Sequence, residues 1–328
     1  MKKNIFFYLL AAFAAVSATA CSSDDDESSS GNEPAPVNLP APATAANAVQ
    51  YNLTTALIPA ETSSEIEEAP QLSYIEVTES SQILLELSNP IDNTNLYFTE
   101  NVAVSDNVYT INSQRVKGTV KVIAAQTRAA YQTALEIDLA VKLENDVLVT
   151  YKTGSEGVVA FKEATPVATD DAMTRLCRTW NILGATLDLA DLDKNEKYYM
   201  EFESKNNVFY LKDVLNEAKK RDVSFSVKDE EDLNREVSAI TITSTGKLII
   251  TYTKGNDDVA EWRWSNAEKT AFTIKLKDGS EGNKFINDDT HMQVAFSDNR
   301  CNLMMSIKFD DDSDKNWDAS LLLKLQSK

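Results

Sequence analysis

The sequence predicts a mainly β protein of two antiparallel β-rich domains, the second a barrel or sandwich with one or two short helices. Three observations carry this expectation. Apolar residues recur at every second position in short segments, the period of a strand with one buried face; Leu135, Ile137, Leu139, Val141 and Leu143 form the longest such row. Polar clusters such as Gly255–Asp258, Asp278–Gly282 and Asp310–Asp314 punctuate the segments as turns. Helical patterning is confined to two short stretches, both in the second half.

In the first domain, residues 48–165, the alternation of Leu72–Thr78 puts Leu72, Tyr74 and Glu76 on one face and Ile75 and Val77 on the other. Ile83–Leu87 is a nearly continuous apolar strand, Asn107 separates Phe98–Val104 from Val108–Ile111, and Thr119–Ile123 and Leu135–Leu143 alternate. The second domain, residues 166–328, opens after Pro166. There Thr169, Asp170 and Asp171 can cap a short helix with apolar positions Ala172, Met173, Leu176 and Cys177. Trp180 begins a strand towards Leu189. Leu211–Arg221 predicts a second helix, with Lys219, Lys220 and Arg221 at the end where cations are favoured. Strands follow at Val223–Val227, Ile240–Ile242, Lys247–Tyr252, Val259–Trp264, Phe272–Leu276, Met292–Phe296, Leu303–Phe309 and Leu321–Leu325. Tyr74–Leu87 can be laid over Ala239–Tyr252 without a gap, and Tyr109–Ile111 over Phe272–Ile274 with a small shift. Duplication and a chance likeness of two β-hairpins both account for this.

The start of the chain bounds its location. Lys2 and Lys3, the apolar run Ile5–Val16 and the small residues Ser17–Ala20 read as a signal peptide over residues 1–20, too short to span a bilayer. Cys21 follows directly, which is the lipoprotein variation. Its thiol is expected to take a diacylglycerol and its amine a fatty acyl chain such as palmitate, each buried methylene contributing about 0.8 kcal/mol to the anchor. Ser22, Ser23, Asp24, Asp25, Asp26 and Glu27 come next. This run resembles the acidic lipoprotein export signal by which members of the Bacteroidetes send lipoproteins to the outer face of the outer membrane; a solvated acidic spacer has the same composition. Residues 21–47, with Pro34, Pro36, Pro40 and Pro42, read as a tether with little to bury. The formal charge, 32 − 51 = −19, argues against a nucleic-acid partner.

Candidate chemistry is sparse. Trp262 and Trp264 lie two apart on a strand and so share a face, either as an aromatic platform for a sugar or apolar ligand or as core, where indoles usually sit. Cys177 and Cys301 remain after lipidation of Cys21 and can form a disulfide or stay as two buried thiols. His291, the one histidine, reads as a solvent-facing residue rather than a base or metal ligand. Asp310, Asp312 and Asp314, like Asp191, Asp193 and Asn195, have the spacing of a calcium-loop start. Neither has Gly at the sixth place or Glu at the twelfth, so both read as hairpin turns. No catalytic set, metal site or cofactor is expected.

Ile240–Lys247, then Ala260-Glu261-Trp262-Arg263-Trp264-Ser265, then Thr270–Ile274 resemble the lipocalin-like domains common in Bacteroidetes lipoproteins, and Arg178-Thr179-Trp180 is similar to their opening Gly-x-Trp. Arg178 stands where the opening Gly would be, Glu261 precedes Trp262 where Gly would be, and the later Thr-Asp-Tyr signature is absent. The resemblance implies a barrel-like second domain without implying a ligand cup. Together these readings lead to a non-catalytic surface lipoprotein, held on the outer membrane by its lipid. It would act as a binding or adhesion module for a glycan, a small apolar ligand or a surface protein. The alternative is a structural or accessory component of a fimbrial or outer-membrane uptake assembly.

Overall fold

The computed structural model describes residues 48–64, 69–91, 94–123, 131–165, 170–191, 196–220, 234–276, 291–308 and 317–328. As the sequence predicts, it is mostly strand. It forms two closed eight-stranded antiparallel barrels, with two short helices among the described residues.

The first sheet contains β1 (Ala48–Leu57), β2 (Glu61–Thr62), β3 (Gln71–Val77), β4 (Gln82–Ser88), β5 (Asn95–Ser105), β6 (Val108–Asn112), β7 (Val116–Ile123), β8 (Gln132–Lys142), β9 (Leu148–Lys152) and β10 (Val158–Thr165). Its order is β10-β1-β3-β4-β5-β6-β7-β8, and a β10–β8 pairing closes the ring. The long strand β8 makes this possible: Leu135 pairs with Val158 of β10, while Asp138 further along pairs with Lys152 of β9.

The second sheet contains β11 (Thr179–Asp191), β12 (Glu196–Glu203), β13 (Phe209–Tyr210), β14 (Glu236–Ile242), β15 (Lys247–Tyr252), β16 (Asp258–Trp264), β17 (Ala271–Leu276), β18 (His291–Ser297), β19 (Arg300–Lys308) and β20 (Trp317–Ser327). The ring runs β11-β20-β19-β18-β17-β16-β15-β14 and closes by β14–β11. Both predicted helices are present, at Asp171–Leu176 and Leu211–Lys220. Asp170 caps the first by accepting from the Ala172 N–H at 3.0 Å, as its place before the apolar run requires. The predicted strand at Val223–Val227 and the turns at Asp278–Gly282 and Asp310–Asp314 lie outside the described residues.

Two compact units result. One is Ala41–Thr179 together with Ala239–Val259; the other contains Trp180–Ser238 and Ala260–Lys328. The first packs Tyr51, Ile75, Leu85, Phe98, Ile137 and Tyr151 into one core. The second buries Trp180, Leu187, Phe272, Leu303 and Leu325. Barrels of this strand number are just wide enough for side chains to fill.

One face assignment changes. Leu72 lies in the core with Ile75 and Val77 rather than opposite them, because the β3–β4 register slips between Leu72 and Tyr74. The extra residue turns Leu72 inward and leaves Tyr74 and Glu76 on the outer wall.

The gapless overlay of Tyr74–Leu87 on Ala239–Tyr252 extends to topology and to individual hydrogen bonds. β3–β4 and β14–β15 are each the second and third strands of their rings, counted from β1 and β11, and the Tyr109 and Phe272 segments are each the fifth, in β6 and β17. Thr78 N–H donates to Gln82 O at 2.8 Å, and Thr243 N–H donates to Lys247 O at 2.8 Å. Ser81 N–H reaches Thr78 O at 3.1 Å, and Gly246 N–H reaches Thr243 O at 3.1 Å. The Thr78 and Thr243 hydroxyls accept from the N–H of Gln82 at 3.3 Å and of Lys247 at 3.0 Å. Ser81 and Gly246 both take positive φ, 54° and 86°. The two hairpins thus share one turn geometry, a three-residue loop closed by a residue of positive φ, a form common among β-hairpins.

Candidate functional site

Trp262 and Trp264 do share a face of β16, opposite Ile274 and Phe272 of β17. Trp262 is 7% exposed and Trp264 half-buried. Their rings meet edge-on, 5.3 Å apart at 90°, and both meet Phe272 edge-on, at 5.5 and 6.3 Å. Edge-to-face packing is the favoured geometry for aromatic clusters in a core. Perpendicular rings offer no common flat face to a sugar. Trp180 is fully buried, with Phe296 at 6.5 Å.

Cys177 and Cys301 are both buried as thiols, and no disulfide joins them. Cys177 ends the helix Asp171–Leu176, its N–H bonding Met173 O. Burial pushes its thiol well above the usual range, and the Glu79 carboxylate pushes it further while Arg178 offsets part. A thiol held protonated in this way is a poor nucleophile. Cys21 and the run Ser22–Glu27, the aspartates 310, 312 and 314, Asp193 and Asn195 lie outside the described residues, as does the side chain of His291. Among the described residues no group of three or more His, Cys, Asp or Glu could hold a metal ion. No helix among them is long and apolar enough to cross a membrane.

A different set of polar side chains is brought together in the first unit, and the sequence reading missed it. Arg115 is clasped on every side. Its Nε donates to Glu100 at 2.7 Å and its Nη1 to Asp257 at 2.5 Å and to Gly255 O at 3.0 Å. Its Nη2 donates to Thr99 O at 2.8 Å and to the second Asp257 oxygen at 3.3 Å. The Asp257 side chain is 0% exposed and also accepts from the N–H of Thr99 and of Tyr252, at 2.6 and 3.1 Å. Burial opposes the guanidinium charge, but Asp257 and then Glu100 outweigh it and hold Arg115 more basic than usual. Burial raises the Glu100 carboxyl, and Arg115 offsets only part of that. With its donors committed, Arg115 works as a fixed rivet rather than as an anion receptor.

In the same unit, on the outer wall of β3, Glu76 is 0% exposed. It accepts from Lys247 Nζ at 2.5 Å, Tyr74 OH at 2.6 Å and the Thr245 hydroxyl at 2.6 Å, with Lys247 also 4.8 Å above the Tyr74 ring. Glu79 accepts from Ser244 N–H at 2.6 Å through one oxygen; its other oxygen is buried with no hydrogen-bond partner among the described residues. Leu84, Tyr97, Ile249 and Val259 pack as a small apolar cluster on the same wall. The sequence signal was slight: Glu76 stands between Ile75 and Val77, and Gln82 directly precedes the apolar run Ile83–Leu85.

Burial raises the Glu79 carboxyl, the neighbouring Glu76 carboxylate adds to this, and hydrogen bonds from the backbone N–H groups of Glu79 and Ser244 partly offset it. A raised carboxyl favours the fold when protonated. That contribution is complete below the unfolded value near pH 4.3 and is lost as pH rises through the higher folded value. Glu79→Gln is therefore expected to melt higher than the parent at pH 7, with the gap closing towards pH 5. Thermal melts across that range check this, and two parallel curves would refute it.

No family model matches the sequence, and no curated protein does. Two solved structures are similar over most of their length. One is a candidate outer membrane protein from Bacteroides fragilis, 11% identical, covering 87% of this chain and 98% of its own at a TM-score of 0.22. The other, from Nostoc punctiforme, belongs to the DUF3598 family of unknown function. It is 9% identical, with 87% and 96% covered at a TM-score of 0.21.

Proposed function

We propose that this chain is a non-catalytic cell-surface lipoprotein that holds two β-barrels away from the outer membrane as a binding or adhesion module. The observation that carries the reading is the leader ending in Ala20-Cys21, followed at once by Ser22-Ser23-Asp24-Asp25-Asp26-Glu27. The lipocalin-like features of the second half support it. So does the use of the buried acids: Glu76, Glu100 and Asp257 are each committed to a cation in the wall of the first unit, in an arrangement that stabilises a scaffold. The exposed outer walls of the barrels are left for recognition, with a glycan, a small apolar ligand or a surface protein as partner.

The expected result is that cells fed a clickable palmitate analogue label the full-length chain and fail to label Cys21→Ser. External protease should remove the labelled parent from intact cells, and replacing Asp24, Asp25, Asp26 and Glu27 with Ala should protect it. An unlabelled parent removes the anchor, and with it this reading. Display followed by stoichiometric cross-linking to one cell-envelope protein would favour the assembly-component alternative.

A further inference from the structure

We infer that the outer faces of β3–β4 and β14–β15 are two copies of one self-complementary docking surface, packed on each other about a local two-fold axis within the first unit. Adding 165 to a residue number carries Tyr74–Leu87 onto Ala239–Tyr252. Under that mapping the contacts exchange. Glu76 meets Lys247 at 2.5 Å, and its counterpart Thr241 meets Gln82, the counterpart of Lys247, at 2.8 Å. Residues on an axis must meet their own counterparts. Glu79 accepts from Ser244, and Leu84 shares its apolar cluster with Ile249, each pair separated by the same 165. Residue i touching j′ while j touches i′ defines an isologous contact, the kind made by two copies of one surface.

One departure from symmetry comes from Thr179, outside both copies, which donates to Gln82 at 2.9 Å; another falls where the copies differ in sequence. Thr245 donates to Glu76 at 2.6 Å. Its counterpart Ser80 has a buried hydroxyl with no hydrogen-bond partner among the described residues. The acceptor that symmetry would supply is missing because Thr241 stands where the first copy has Glu76. The surface is thus occupied by a second copy of itself, carried on the same chain. Outside partners must use other walls of the first unit. This inference stands on the contacts alone and does not depend on the proposed function.

The full-length chain can be tested by rebuilding the ion pair on the other side of the axis. Thr241→Glu alone puts an unpaired carboxylate at a position 0% exposed. It should lower the folding equilibrium constant by on the order of 100-fold or abolish folding. Adding Gln82→Lys should restore it by at least about 10-fold, since the counterpart pair already lies within hydrogen-bond reach. Ser80→Ala should be neutral in the parent and costly in the Thr241→Glu/Gln82→Lys chain, where the Ser80 hydroxyl gains the new carboxylate as acceptor. Urea unfolding of the single, double and triple variants reads all of these. A double variant no more stable than Thr241→Glu would overturn the inference, as would equal effects of Ser80→Ala in both backgrounds.

Discussion

Asp257→Ala should cost the fold about 3–5 kcal/mol, the range for removing one partner of a buried, hydrogen-bonded ion pair. The loss has three sources. Arg115, its side chain 10% exposed, would keep Glu100 as its sole carboxylate. The N–H groups of Thr99 and Tyr252 would lose their acceptor in a buried place. A space would also open where the Asp257 carboxylate lies, beside the main-chain bridge of Asp257 with Tyr97. Lys121→Ala gives the contrast, because the Lys121–Glu136 pair is exposed at 52% and 37% and should barely move the unfolding midpoint. Urea denaturation of both variants separates the cases. A loss below about 1 kcal/mol for Asp257→Ala would mean that Arg115 finds water or other partners and that the clasp is not a stabilising feature.

The same residues show where sequence reading reached and where it stopped. Alternation was enough to put Ile75 with Val77, and Ile137 with Leu139, on shared faces that the fold turns to the core, and to make the fold β, because a period of two needs only local information. It assigned Leu72 to the wrong face because one inserted residue reverses every side chain before it, and nothing in Leu72-Ser73-Tyr74 marks the slip. Glu76 was placed only on the face of Tyr74, and Gln82 and Glu79 drew no reading at all. They are buried by a segment more than 150 residues later in the chain, and period-two logic carries no information about what covers the outside of a strand. Asp257 likewise read as part of the turn Gly255–Asp258, and Arg115 carried no signal until the fold brought the two together. The aromatic pair was legible as a shared face but not as perpendicular rings, since ring orientation is set by Phe272 on the neighbouring strand.

Gly118→Ala should be the most damaging single methyl addition described here, at about 2–5 kcal/mol. Gly118 sits inside β7 with φ of +133°, a region that residues with a Cβ rarely adopt. A Cβ built there would lie 1.9 Å from the carbonyl oxygen of Asp138 and 2.9 Å from its carbon, on the paired strand β8. Main-chain atoms cannot swing aside as a side-chain tip can, so either the β7–β8 ladder opens or Gly118 leaves its conformation. Opening it would disturb Leu139 and Val141, both 0% exposed, and would strain the strand that also closes the ring through β10. A glycine inside a barrel strand commonly marks such a tight bend. Gly154→Ala is the matched control, with nothing within 4 Å of its added carbon. Thermal melts and hydrogen exchange at β7 and β8 should show early opening in Gly118→Ala and none in Gly154→Ala. Equal stability of the two would mean that the bend can relax without a glycine, and that closure of the first barrel does not depend on this close approach.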